Sequence, residues 1–124
     1  RGACLKHPYH DDPSTHGFLI TPLADMKRIA QIARNLGYQV NTHAIGDSTN
    51  KVVIDVVAET FRENTDHRWR IEHAQVLDPK DIAKLAEYYI FPSVQPTHAV
   101  SDQRWAENRL GKELRKSIAL IQKR

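Results

Sequence analysis

Two runs of this chain share one outline. Gln39 to Asp47 (QVNTHAIGD) and Trp69 to Pro79 (WRIEHAQVLDP) each carry β-formers up to a histidine, then break into small and polar residues ahead of a helix start. A strand-then-helix unit that recurs in this way commits the chain to parallel pairing. A strand can lie beside its predecessor in the same direction only after a crossover, and such crossovers are right-handed.

The segments around the two runs fit that scheme. Leu23, Met26, Ile29, Ala30, Ala33 and Leu36 recur at helical spacing. Thr21 is placed to cap that helix with Pro22 at its first position, and Gly37 suits a left-handed stop. Val52, Val53, Val56, Val57, Thr60 and Phe61 form the inner stripe of a second helix, capped from Asp47 or Ser48. Asp78-Pro79 opens a third helix with Ile82, Leu85 and Ala86 inward. The strands are YQVNTHA, RWRIEHA and YIFPSVQ; Pro92 makes the last short or irregular, because it has no N–H for the ladder. The expected fold class is therefore α/β with a parallel sheet.

The ends of the chain are less regular. Residues 1–21 hold Pro8, Asp11, Asp12, Pro13 and Gly17 without a sustained period and read as loop. Asp102 to Arg109 reads as a short helix or ordered loop, and Leu114, Ile118 and Ile121 outline a final basic amphipathic helix. The opening residues show neither the apolar core of a signal peptide nor an initiator methionine, which is the pattern of a piece of something longer.

Composition excludes several classes. With 40% hydrophobic and 27% charged residues the chain is neither disordered nor collagen-like. No apolar run approaches the roughly 20 residues that span a bilayer. The net charge of +3 is spread among acidic neighbours except in the basic stretch 109–124, where no aromatic platform accompanies it. That stretch reads as a solvated helix face, and neither nucleic acid nor membrane is an expected partner. Cys4 is the only cysteine, so an internal disulfide is impossible and the lean is towards a reducing, cytoplasmic compartment.

In parallel α/β folds the loops leaving the carboxyl ends of the strands gather on one edge, where ligands bind. His43, His73 and the QPTH segment with Gln95 and His98 all fall there. A lone strand-end histidine is usually a satisfied polar residue. Two at equivalent points of neighbouring units are what a borderline metal such as zinc needs, neutral imidazoles held by a rigid scaffold. Alternation turns Glu72 to the opposite side from His73, towards an ion pair with an arginine. His7, His10, His16 and His67 lie in polar, turn-like sequence and are expected to be exposed.

HAIGD, then RIEHAQ about thirty residues on, then SVQPTH and the run Asp102, Trp105, Ala106, Glu107, Arg109, Leu110, Gly111 together resemble the metal-dependent amidohydrolase superfamily. Within it the resemblance is to the amidohydrolase 3 or YtcJ-like branch, and the opening RGACLKHPYHDDPSTHG is similar to that branch just after its fourth barrel strand.

The resemblance implies a partial (β/α)8 TIM barrel spanning residues 1–124: a loop after strand four over 1–21, then βα units over 22–124 holding about strands five to seven. It implies that His43 and His73 are metal ligands. Gln95, His98, Trp105 and Arg109 become contacts to the substrate or to those ligands. The activity implied is hydrolysis of C–N bonds in amides, cyclic imides or similar small molecules by a water activated on a divalent metal, zinc first, with one or two ions. The branch's His-x-His pair of strand one, its strand-four ligand and its strand-eight aspartate have no counterpart here, so the fragment alone is expected to be inactive. Open strand edges lead to the expectation of a homo-oligomer. Two other readings stay open, an α/β module binding an anion or small molecule near Gly46 to Ser48, and a structural or interaction segment.

Overall fold

A computed structural model describes residues 1–122, with side chains given throughout except at 115–117 and 119–122. The elements run α1 (Leu23–Leu36), β1 (Asn41–Ala44), α2 (Asp47–Thr60), β2 (Arg70–His73), α3 (Pro79–Glu87), β3 (Phe91–Ser93), α4 (His98–Ser101) and α5 (Gln103–Gln122). The three strands form one parallel sheet in the order β1-β2-β3. This is the expected α/β arrangement.

The core lies between the sheet and α1 to α3. Val53, Ile54, Val56 and Val57 of α2 pack with Trp69 and Ile71 of the second unit, each at most 1% exposed. A side chain of that kind stabilises the fold by about 1.5–3 kcal/mol when fully buried. Trp69 also satisfies its indole, which donates to Thr42 Oγ1 at 3.0 Å across the two strands.

Helix starts differ from the sequence reading in two of three cases. Pro22, not Thr21, is the N-cap of α1, and Gly46 caps α2 with Asp47 as its first residue; neither cap donates or accepts through a side chain. Asp47 is instead buried, with Oδ1 accepting from the backbone N–H groups of Lys6 and Ser48 at 3.0 Å. Asp78 does cap α3, accepting from Lys80 N–H at 3.0 Å with Pro79 next to it. The C-terminal stop of α1 is as expected, since Gly37 takes φ 70°.

Two stripes are also narrower than their periodicity implied. In α1 Met26, Ala30 and Ala33 are buried, but Leu23, Ile29 and Leu36 stay exposed. In α3 Leu85 is buried and Ala86 is exposed.

Asp102 is the C-cap of α4, and from Gln103 the segment is helical and continuous in α5 with the basic helix, with a kink at Gly111, whose φ 74° and ψ 167° suit glycine alone. Ile118 and Leu114 pack with Val76 and Ala106, while the side chain of Ile121 lies outside the described residues.

Residues 1–21 contain no helix or strand, yet Cys4, Leu5 and Tyr9 are buried and the segment is tied to the unit starts. Lys6 Nζ donates to Asp78 at 2.8 Å and Asp81 at 2.9 Å, and Asp81 also accepts from Lys84 at 2.8 Å. The loop is thereby clamped to the edge where the strands end.

His67 departs from its expected exposure. It is 6% exposed and serves the core: Nδ1 accepts from Trp69 N–H at 2.9 Å, Nε2 meets the Tyr88 carbonyl at 2.8 Å, and its ring lies against Phe61. His7, His10 and His16 are exposed as expected.

Candidate metal centre

In the parallel ladder His43 pairs with Glu72, and Glu72 with Ser93, so these three share one face of the sheet. His73 pairs with Ala44, one step on. Strict alternation would leave its ring on the opposite face from His43. The backbone prevents that. His73 takes φ 75° and Ala74 φ 43°, left-handed values that L-residues adopt only under constraint from their surroundings.

The turn delivers the His73 ring to His43. Nδ1 of His43 and Nε2 of His73 face each other at 2.9 Å, with ring centroids 5.0 Å apart. The His98 ring stands edge-on to His73 with centroids 5.9 Å apart. His43 is exposed, and His73 and His98 are half-buried.

Gln95 sets the protons. Its amide Nε2 donates to the Ser93 carbonyl at 3.2 Å, which turns Oε1 towards His73 Nδ1 at 2.9 Å. An amide oxygen can only accept, so Nδ1 carries the hydrogen and Nε2 of His73 presents its lone pair to His43. His43 Nδ1 then donates to it.

This pair fits part of a metal shell. The 2.9 Å between the two ring nitrogens lies within a few tenths of the ~3.3 Å that separates two ligands of a tetrahedral zinc, a place His43 Nδ1 could take once it gives up its hydrogen. The Gln95 bond to the distal nitrogen is the usual support for such a ligand. Among the described residues no group of three or more His, Cys, Asp or Glu could by itself hold a metal ion.

Glu72 forms the expected ion pair, with Arg70, but on the His43 face of the sheet. The Ser93 hydroxyl and then Arg70 hold its carboxyl below the usual range.

His98 Nδ1 lies 3.4 Å from Asp102, whose carboxylate also accepts from Gln75 and from Ser101. Trp105 and Arg109 share the lining of an adjacent cavity with His98, and Arg109 pairs with Asp11 at 3.3 Å.

Asn50 escaped the sequence reading. Wholly buried in α2, its amide donates to the carbonyls of Gly46 at 2.9 Å and Val76 at 3.1 Å, joining the loop after β1 to the loop after β2. An asparagine on an otherwise apolar helical stripe was the available signal.

Residues 1–123 match the model of the Amidohydrolase family. YtcJ of Bacillus subtilis (strain 168), which is named as an amidohydrolase, is 38% identical over 117 residues, 94% of this chain and 22% of YtcJ. Crystal structures of two uncharacterized metal-dependent hydrolases are similar to this chain. The Pyrococcus furiosus protein gives a TM-score of 0.84 at 34% identity, over 94% of this chain and 24% of its own. The Pyrococcus horikoshii OT3 protein gives 0.80 at 37% identity, over 94% and 23%. The chain thus spans about a quarter or less of the length of these relatives.

Proposed function

This chain belongs to the amidohydrolase family, in its YtcJ-like branch, and from that premise we propose that it is the portion of a (β/α)8-barrel hydrolase that carries barrel strands five to seven. In this reading β1, β2 and β3 are those strands, and the whole enzyme cuts C–N bonds of small amides, cyclic imides or related compounds. His43 and His73 are two of its metal ligands. The observation that carries the reading is the 2.9 Å approach of His43 Nδ1 to His73 Nε2 with Gln95 fixing the tautomer.

The metal is a divalent cation, zinc by the chemistry of imidazole donors. Bound there, such a cation would supply an acidified water and polarise the carbonyl next to the C–N bond to be cut. The chain's own residues do the rest of what can be assigned. Gln95 keeps the proton on His73 Nδ1, and His98, oriented by Asp102, lines the approach of the substrate.

Two ligands are fewer than the three a catalytic zinc takes from its protein, so the 124 residues alone are inactive in this reading. Among the described residues no helix is long and apolar enough to cross a membrane. Cys4 is a buried free thiol, which agrees with a reducing, cytoplasmic location.

Anion binding at the start of α2 is less well supported. The buried Asp47 carboxylate already occupies the first turn and accepts from Ser48 N–H, which sets a negative charge where an anion would sit.

Zinc titration by calorimetry, with the His43→Ala/His73→Ala double variant as control, tests the reading. Binding that is lost in the double variant supports it. Binding that survives in the variant puts the ion elsewhere and overturns the assignment.

A further inference from the structure

A second concavity opens beside the histidines, and His98 is the wall shared with them. It encloses about 530 Å³, within the roughly 300–1,000 Å³ of small-molecule sites. Its lining is mainly apolar, from Leu5, Ile45, Val76, Ala106 and Leu110, with the half-exposed indole of Trp105 among them.

The ionic groups on the lining already have partners, the arginines with carboxylates behind the wall, where Arg1 also lies 3.5 Å from Asp12. Arg1 and Arg109 both pair with Asp11, at 3.1 and 3.3 Å. Asp102 accepts from Gln75 and Ser101 and faces His98, and Tyr9 Oη donates to the Ala3 carbonyl at 2.8 Å. A carboxylate ligand would have to compete with Asp11 for both arginines. An ammonium would have to displace Gln75. A neutral apolar group disturbs none of these pairs and buries itself against the walls, where the Trp105 face favours an aromatic ring.

We propose that this cavity receives the uncharged aryl or branched-alkyl substituent of the amide or imide whose C–N bond is presented to His43 and His73. The proposal rests on the hydrolase reading above. The His98 ring lines the cavity and stands 5.9 Å from that of His73, so one small molecule spans both places. The specificity of the site would then lie in residues of α5 and of the loops after β1 and β2.

The test titrates the 124-residue chain, with and without zinc, with 3-phenylpropionamide, 3-phenylpropionate and acetamide by calorimetry. Indole emission is followed in parallel, since Trp69 is buried and Trp105 is half exposed. The aryl amide is expected to bind at least tenfold more tightly than either comparison compound. Ala106→Phe, which fills the cavity, should abolish that binding while zinc uptake is unchanged, and Leu110→Trp serves if the first variant does not fold. An aryl amide no tighter than acetamide, a carboxylate tighter than the amide, or binding that survives in both filled variants overturns the proposal. If zinc still binds through the histidines in those cases, the metal reading stands. Aryl-amide binding lost on filling the cavity, in a chain that takes up no zinc, sustains the cavity and leaves the metal reading without support from this chain.

Discussion

His43 and His73 meet nitrogen to nitrogen at 2.9 Å although the sheet does not pair them: His43 is in register with Glu72, and His73 with Ala44. The meeting is made by the backbone, through φ 75° at His73 and φ 43° at Ala74. A strained pair of left-handed residues costs of order 1–3 kcal/mol each and persists only where the surroundings hold it. Ala74 is wholly buried and Gln95 grips the His73 ring, which supplies that hold.

The first prediction concerns Gln95. If its oxygen fixes the His73 tautomer, Gln95→Leu should weaken zinc binding by about 10–100-fold, the usual effect of losing such a support. Gln95→Glu keeps an acceptor at the same place and should retain most of the affinity. Competition against a chromogenic chelator measures both, and equal affinities for Leu and Gln would show that the tautomer is set elsewhere.

A second prediction follows from the Lys6 clamp. Hydrogen bonding from Lys6 holds the Asp78 carboxyl below its usual range. For Asp81 burial pushes the other way, but Lys84 and Lys6 outweigh it and its value is lowered as well. Depressed carboxylates contribute stability that is fully present above their unfolded pKa of about 3.9 and is lost as pH falls through the folded values. Urea midpoints should therefore be level above about pH 5 and fall below about pH 4. Lys6→Met should cost roughly 1.5–3 kcal/mol near neutral pH and flatten that acid limb. An acid limb of full height in Lys6→Met would place the sensitive carboxylates somewhere other than the clamp.

His67 gives a third. Its two ring nitrogens satisfy the Trp69 N–H and the Tyr88 carbonyl inside the protein. His67→Ala leaves both without their partner and opens space beside Phe61, so a loss of at least 1–3 kcal/mol is expected in equilibrium unfolding. His7→Ala, at an exposed site, is the matched control and should change stability by less than about 0.5 kcal/mol. A His67→Ala chain as stable as that control would show that water replaces the ring.

The parts legible in sequence were those written in local chemistry. Gly37 and Asp78-Pro79 mark helix ends by their own backbone preferences, and the two histidine-bearing runs announced repeated units and a shared edge. What distant partners decide was not legible. Burial of His67 depends on Tyr88, 21 residues away, and the face taken by His73 depends on left-handed angles that no glycine advertises. Asn50 lay on an apolar stripe and read as an interruption, whereas it crosslinks two loops of the rim. In α1 the periodicity correctly drew an apolar face, but a period cannot say whether anything covers it.

That uncovered face carries the last prediction. Ile20 is 89% exposed, and Phe18, Leu36 and Tyr38 are each more than 60% exposed, with Ile32 nearly half exposed on α1. Large exposed apolar surface is commonly covered by another protein surface. In the 124-residue chain a second copy is the available cover, so we expect self-association, read as a scattering mass above the 14.2 kDa of one chain that rises with concentration. Ile32→Lys together with Leu36→Lys sets two charges in the face without touching the core residues Met26, Ala30 and Ala33. The double variant should return the mass to that of a monomer while leaving helix content unchanged by circular dichroism. Association that persists in the variant would move the contact to the open edges of β1 and β3, whose unpaired backbone groups are the other surface able to join two copies.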